Sequence, residues 1–111
     1  MTDLADRPLT KGQPILSLTE VRQQLDALPH WTLNEQAAVP RIERVYRFAD
    51  FAQALAFVNQ VGALAEAQDH HPALLLEWGK VSASWWSHDA GGVHANDLTM
   101  AARTERLYQQ T

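Results

Sequence analysis

The segment from residue 50 to residue 72 constrains the fold more than any other part of the sequence. Asp50 and Gln53 stand at the two positions of a helix capping box, and Pro72 cannot continue a helix because it lacks a backbone N–H. Between them, apolar residues recur at the spacing of one buried helix face. We therefore predict a helix that runs to about Gln68. Its predicted buried face consists of Phe51, Leu55, Val58, Val61 and Ala65.

Two pairs of short segments with strand-like composition flank this helix. The first pair covers residues 31–34 and 41–48, and the second pair covers residues 74–78 and 81–87. Gly79-Lys80 separates the second pair, and glycine at the first of two loop positions favours a type II′ hairpin turn. The segment 41–48 has two exceptions to strand alternation, since Arg44 falls on its apolar side and Val45 on its polar side.

Two further helices complete the pattern. Ser17 and Glu20 form a second capping box, and the helix that they begin ends at Pro29. A third helix begins near residues 94–97, and its inward residues are Leu98, Ala101, Ala102 and Leu107. The order helix, strand, strand, helix, strand, strand, helix predicts an α+β fold, with three helices packed on one face of a four-stranded antiparallel sheet.

Length, charge and composition limit the class of protein. The 111 residues fit one domain. Residues 1–14 lack any sustained hydrophobic period and are predicted to be a mobile N-terminal leader, so we assign the domain to residues 15–111. A net charge of −4 without a Lys/Arg cluster argues against nucleic-acid binding. The chain has no cysteine, no signal-peptide layout and no apolar run of the roughly 18 residues that span a bilayer. A cytoplasmic protein without membrane contact is the expectation.

Three histidines are predicted to converge at one end of the sheet. His70 and His71 lie where the second helix leads into the third strand, and His88 ends the fourth strand. Because a hairpin returns the chain to the end from which it left, His88 is expected close to the His70-His71 pair.

This convergence has three interpretations. The histidines are partly buried structural residues, or they bind a metal, or they act as general acids and bases. Adjacent histidines do not readily present both rings to one tetrahedral ion, so no metal and no cofactor is expected. Imidazole titrates near neutral pH, so neighbouring histidines can supply one proton donor and one acceptor together.

Several residues near the histidines also have competing interpretations. Glu66 and Asp69 orient or charge the imidazoles, or they are solvated residues of a helix end where carboxylates are unfavourable. Asp97 fits the third position of the last helix and is expected to cap it. Three of the four tryptophans are interpreted as core or interface residues, namely Trp78, Trp85 and Trp86.

The spacing of these residues resembles the signature of the pterin-4a-carbinolamine dehydratases. The matching residues, separated by three, five, nine and eight positions, are Glu66, His70-His71-Pro72, Trp78, His88 and Asp97. The segment 87–92 is similar to the family's Thr-His-Asp-Ala-Gly-Gly loop, and the resemblance covers about residues 16–108.

The resemblance implies a fold of the predicted kind and a reaction. Family members dehydrate 4a-hydroxytetrahydropterin to quinonoid dihydropterin, which recycles the cofactor left by aromatic amino acid hydroxylases. The implied catalytic residues are His70, His71 and His88, with Glu66 and Asp97 in support. The implied substrate contacts are Asp69, His70, His71, Trp86, Ser87, His88 and Asp89. Which histidine is the acid and which the base stays open.

The resemblance also implies partners and an alternative function. Family members form homodimers or homotetramers, and some act as binding modules, either with a transcription factor or in Rubisco assembly. This chain departs from the family at His94, where a capping Ser or Thr is common, and at Ala73-Leu74, where a more polar or aromatic pair is common. Because all three histidines are present, the resemblance favours the enzyme.

Overall fold

The computed structural model describes residues 3–12 and 14–111 and confirms the predicted α+β fold. Four antiparallel strands lie in the order β1-β2-β4-β3. In chain order the elements are α1 (Leu18–Gln24), β1 (Thr32–Asn34), β2 (Arg41–Arg47), α2 (Phe51–Gln68), β3 (Ala73–Glu77), β4 (Lys80–Trp85) and α3 (Ala95–Gln109), with short 3-10 helices at Leu4–Asp6 and Leu25–Ala27. Across the described ranges, every helix is too short or too polar to cross a membrane.

The helix ends follow the predicted capping residues. The Ser17 hydroxyl accepts a hydrogen bond from the Glu20 N–H at 3.1 Å, and the Glu20 carboxylate accepts one from the Ser17 N–H at the same distance. Asp50 caps α2 by accepting from the Gln53 N–H at 2.8 Å. The predicted return bond is wrong in detail, because the Gln53 side chain accepts from the Ala49 N–H at 3.4 Å and not from Asp50.

The predicted buried face of α2 is partly wrong. Phe51 and Leu55 are each 41% exposed, whereas Val61 and Ala65 are buried as predicted. A second set with the same helical spacing faces the sheet, and it begins with the small Ala54. The buried residues of α2 are Ala54, Phe57, Val61 and Ala65.

This second face buries the ring of Phe57 against the sheet, whereas the predicted face would have buried Phe51. The Phe57 ring centroid lies 4.8 Å from that of Tyr46 on β2 and 5.2 Å from that of Phe48, so the three rings form one cluster. Such ring pairs stabilise a core beyond the area that they bury. The small Ala54 and Ala65 let α2 approach the sheet around this cluster.

The hairpin between β3 and β4 differs from the predicted turn. Glu77 pairs with Lys80, so the two loop residues are Trp78 and Gly79, and glycine occupies the second position. Gly79 has φ +65°, which a side chain disfavours, and a Cβ there would approach the Phe48 carbonyl oxygen to 3.0 Å. The type II′ prediction is wrong because β4 begins one residue earlier than expected.

The two residues that break the alternation of β2, Arg44 and Val45, have a structural explanation. Val45 is 45% exposed on the open face of the sheet, whereas the Arg44 side chain is only 12% exposed and pairs with the Glu105 carboxylate of α3. The same carboxylate oxygen accepts hydrogen bonds from Trp31 Nε1 at 2.9 Å and from the Tyr46 hydroxyl at 2.8 Å. Burial, together with the Glu105 charge, raises the pKa of Tyr46. Arg44 is therefore a partnered, nearly buried charge.

The N-terminal segment packs against α3 over its described part, residues 3–12. Leu4 and Ala5 are 8% and 6% exposed and belong to the hydrophobic core, and Arg103 Nε donates to the Ala5 carbonyl at 2.9 Å. The sequence did not indicate these contacts, because the segment has no helical or strand period. That the segment is mobile and that the domain begins at residue 15 both stay predictions. The contacts with α3 argue against the mobility.

Candidate active site

An open cleft of about 1050 Å³ contains the predicted substrate contacts. Most of its lining comes from three stretches of chain: residues 67–71 at the end of α2, residues 86–90 after β4, and the N-terminal segment at residues 9–12 with Pro14. The predicted contacts among the lining residues are Asp69, His70, His71, Trp86, Ser87, His88 and Asp89. The structure thus brings the three histidines to one cleft, as the hairpin argument expects.

The register of β3 and β4 explains this convergence. Ala73, the first residue of β3, pairs with Ser84 near the end of β4. The chain before β3 and the chain after β4 therefore lie at the same end of the sheet. Ser87 then pairs with Gly92 in an isolated bridge, which folds the intervening loop, including His88, back beside the histidine pair.

His70 is held on two sides by buried groups. Its Nε2 lies 2.5 Å from Asp97 Oδ1, and its ring stacks on Trp85 with centroids 5.6 Å apart and planes inclined by 7°. The Asp97 carboxylate is fully buried, whereas the His70 side chain is 17% exposed. A buried carboxylate that bonds one nitrogen of an imidazole fixes the orientation of the ring.

Asp97 has a second set of contacts that keeps its carboxylate in place. Its Oδ2 accepts hydrogen bonds from the Ser87 hydroxyl and from the His94 backbone N–H, each at 2.8 Å. The second bond caps α3, so the expected capping role is confirmed. The contact with His70 was missed by that interpretation, because the two residues are 27 positions apart and only the fold brings them together.

His71 and Glu66 form a pair at the exposed rim of the cleft. His71 Nε2 lies 2.5 Å from Glu66 Oε1, and the two side chains are 51% and 81% exposed. A contact between side chains this exposed contributes little to stability. The pair therefore orients His71 at the mouth of the cleft rather than holding the fold together.

His88 is exposed and lies beside Trp86. Their ring centroids are 4.6 Å apart, and Trp86 also contacts Arg41, whose guanidinium carbon lies 3.7 Å from the indole ring centroid. This cation–π contact holds the indole in place as a wall of the cleft. The contact with Arg41 was not predicted, since it joins β2 to the chain after β4.

Two further lining residues were not predicted to lie in the cleft. His94 is 5% exposed, and its Nδ1 accepts a hydrogen bond from the Asn96 N–H at 2.9 Å, so its side chain caps α3. Asn96 also lines the cleft. Both stand at the start of α3, two residues apart, and the helix pattern had assigned them only to the helix end.

The described part of the chain contains no group of three or more His, Asp or Glu side chains arranged to hold a metal ion. His70 and His71 use different carboxylates, Asp97 and Glu66, on different elements. The expectation that no metal takes part stays a prediction.

Asp69 has an unfavourable backbone conformation beside the histidines. It follows the last residue of α2 with φ 51° and ψ 43°, and among residues 3–12 and 14–111 it is the one non-glycine residue with positive φ. Glycine is the usual residue at such a helix end, because a Cβ costs free energy in the left-handed region. A strained residue at the edge of a cleft points to a role for its side chain.

Replacing this residue should separate stability from function. We expect Asp69→Gly to raise the free energy of unfolding by about 1 kcal/mol, since the strain is removed. If the cleft binds a pterin, as the resemblance implies, that binding should weaken at the same time, because the carboxylate in the cleft is lost. Urea denaturation and pterin titration measure the two effects, with Asp69→Asn as the control that retains a residue tolerant of positive φ. A glycine variant with unchanged pterin affinity would assign Asp69 to the helix end alone.

Comparisons with known proteins point to one family. The family profile described as pterin 4 alpha carbinolamine dehydratase matches residues 14–107. A protein of Microcystis aeruginosa is 47% identical over 99% of this chain and 97% of its own length, and one of Chlorobaculum tepidum is 54% identical over 79% of each. Both bear the name "Putative pterin-4-alpha-carbinolamine dehydratase".

Two solved structures are also similar. One, described as a transcriptional coactivator/pterin dehydratase from Brucella melitensis, has a TM-score of 0.78 and 29% identity over 85% of this chain and 98% of its own. The other is described as a pterin dehydratase-like protein that is a RuBisCO assembly factor in the alpha-carboxysome. Its TM-score is 0.59 with 22% identity over 70% of this chain and 88% of its own, so it supports the fold alone.

Proposed function

The chain belongs to the pterin 4 alpha carbinolamine dehydratase family, and on that premise we propose that it dehydrates 4a-hydroxytetrahydropterin to quinonoid dihydropterin. In this reaction the bond between C4a and the hydroxyl oxygen breaks, and the proton on N5 is removed as the C4a–N5 double bond forms. The hydroxyl leaves as water after it takes up a proton. The reaction needs one proton donor and one acceptor, and no nucleophile or redox cofactor.

The contact between His70 and Asp97 is the observation that carries this proposal. With its Nε2 held by a buried carboxylate, His70 exchanges a proton with the substrate through its other ring nitrogen. Asp97 acts as a positioning residue that stabilises the imidazolium formed when His70 takes up a proton. The carboxylate is itself fixed by Ser87 and by the end of α3, so the imidazole is ready in one orientation.

His88 is the second proton-transfer group, and His71 holds the substrate. His88 stands on the loop after β4, whereas His70 stands at the end of α2, so the two imidazoles act from different walls of the cleft. Acid and base on separate walls suit a reaction that adds a proton at oxygen and removes one at N5. The exposed His71, paired with Glu66, is suited to binding at the mouth of the cleft. Which of His70 and His88 is the acid is left open by this arrangement.

A non-enzymatic binding module is the second candidate function. It is favoured by the description of the solved structure with 29% identity as a transcriptional coactivator/pterin dehydratase. The two candidates differ in one observable, the lifetime of the carbinolamine. The enzyme shortens this lifetime in proportion to protein concentration, whereas a binding module leaves the spontaneous rate unchanged. A role in pterin recycling and a cytoplasmic location accompany the first candidate.

Assembly into a homodimer or homotetramer is part of the proposal. The edge strand β3 has one unpaired side, and Leu75 on it is 57% exposed. Leu75 and Val45 both pair with Ser82, so they lie in one row on the open face of the sheet, and Val45 is 45% exposed. Unprotected edges and apolar rows of this kind favour association between chains.

The mass in solution tests this assembly. We expect a dimer or tetramer at micromolar concentration, and we expect Leu75→Glu to shift the mass toward the monomer because a charge would be buried between chains. Gln23→Glu, at an exposed position of α1, is the control that likewise adds one negative charge. A wild-type protein that stays monomeric at these concentrations would refute the proposed assembly.

A further inference from the structure

The candidate cleft has a third wall that carries none of the three histidines. Residues 9–12 of the N-terminal segment form this wall, together with Pro14 beyond it. The family profile begins at residue 14, so residues 9–12 lie outside the part of the chain that the profile matches. Neither the signature residues nor the proposed mechanism gives these residues a role.

Asn96 ties this wall to the start of α3. The Thr10 backbone N–H donates to Asn96 Oδ1 at 2.9 Å, and Asn96 Nδ2 donates to the Thr10 carbonyl at 2.6 Å. The neighbouring residue along α3 is Asp97, which holds His70. One helix end therefore positions both the wall and the proposed proton-transfer group.

The chain on either side of the wall is also anchored. Upstream, Arg103 donates to the Arg7 carbonyl at 2.8 Å, and Asp6 accepts from Arg106 at 2.7 Å. This guanidinium holds the pKa of Asp6 below its usual value. Downstream, the Leu16 N–H donates to the Val93 carbonyl at 2.8 Å. Residues 9–12 are thus held across the cleft between two fixed points.

We infer that residues 9–12 contact the side chain at C6 of the pterin and that Asn96 is the positioning residue that holds them there. This inference rests on the proposed function. The histidine-bearing walls must surround C4a and N5, and C6 is the next ring atom after N5, so its substituent extends away from the reacting bond. The aminopyrimidinone ring offers N–H donors, which match the carboxylates of Asp69 and Asp89. The third wall offers no carboxylate; its side chains include Leu9 and Lys11, and they suit the C6 substituent instead.

Steady-state kinetics with two carbinolamine substrates test the inference. One substrate carries a methyl group at C6, and the other carries a trihydroxypropyl chain. We expect Asn96→Ala to raise KM for the longer substrate on the order of 5- to 10-fold, the scale of one or two net hydrogen bonds. KM for the methyl substrate and kcat for both should stay unchanged. Asn59→Ala, on the exposed face of α2, is the matched control and should change neither.

Two more variants separate substrate contact from fold stability. Asn96→Asp keeps the acceptor for the Thr10 N–H but loses the donor, and its added charge is favourable in the first turn of α3. Its Tm should equal or exceed that of the wild type while KM for the longer substrate rises. The Cβ added by Gly12→Ala would meet no atom within 4 Å, but a φ of +75° is unfavourable for alanine. We therefore expect this variant to displace residues 9–12 without any contact with α3. It should raise KM in the same substrate-dependent way.

The outcomes that contradict the inference differ from those that contradict the proposed function. Equal effects on both substrates, or no effect, in Asn96→Ala and Gly12→Ala would show that the wall does not contact the C6 substituent. If the wild type does not accelerate dehydration, the proposed function fails, and calorimetry with two stable 7,8-dihydropterins carrying the same side chains decides the inference. Weaker binding of the longer ligand to both variants upholds it. Equal binding to wild type and variants, or no binding to the wild type, overturns it.

Discussion

Replacing His70 or His88 with Gln is expected to lower the dehydration rate, taken as the excess over buffer, by roughly 100-fold or more, the usual contribution of general acid–base catalysis. Glutamine retains a donor that can reach Asp97, so His70→Gln should not leave that buried carboxylate without a partner. His88 is exposed, so His88→Gln should leave stability almost unchanged. The excess rate per folded molecule is the quantity to measure.

A double variant, His70→Gln with His88→Gln, and a control variant test this prediction further. If His70 and His88 act as one acid–base unit, the combined loss should be smaller than the product of the two single losses. His30→Gln, at an exposed position outside the cleft, should keep full activity. Fully active, folded variants at both His70 and His88 would show that these histidines are structural residues of the helix end and the loop.

Replacing Glu105 should have the largest effect on stability. One oxygen of this carboxylate serves Arg44, Trp31 and Tyr46, and the side chain is only 15% exposed. Glu105→Leu leaves the Arg44 charge nearly buried and without its partner. Such a loss typically costs about 3 to 5 kcal/mol of the free energy of unfolding, which urea denaturation measures.

Two comparisons show whether the cost comes from the unpaired charge. Glu35→Ala breaks a pair with Arg22 whose side chains are 44% and 53% exposed, so its cost should stay below about 1 kcal/mol. The double variant Arg44→Met with Glu105→Leu removes both charges and should recover much of the stability lost by Glu105→Leu alone. A Glu105→Leu protein as stable as the Glu35→Ala protein would contradict the importance of this cluster.

The parts of the fold that were predicted correctly from the sequence depend on interactions between residues that are close along the chain. Ser17 and Asp50 cap their helices through residues three positions away, and Pro72 prevents continuation of α2. Antiparallel pairing of β3 with β4 then places His88 near His70, which follows from the chain order alone. The meeting of the histidines in one cleft could therefore be predicted from the sequence alone.

The features that sequence reasoning missed depend on contacts between distant residues. Two sets of apolar positions with the same spacing exist on α2, and packing of Phe57 against β2 selects the one that periodicity did not indicate. Arg44 and Glu105 are 61 positions apart, and Thr10 and Asn96 are 86 apart. No local pattern marks such partners, so both the buried charge cluster and the N-terminal wall became visible only in the fold.

The measurement that tests the central claim most directly is the decay of the 4a-carbinolamine in buffer, with the wild type, and with the double variant His70→Gln, His88→Gln. The spontaneous reaction sets the floor, so the rate is recorded at several protein concentrations. We predict an excess rate that rises linearly with wild-type concentration and is lost in a double variant that keeps the wild-type circular dichroism spectrum. An unchanged carbinolamine lifetime in the presence of wild-type protein, or an equal acceleration by the double variant, would contradict the assignment of dehydration to these histidines.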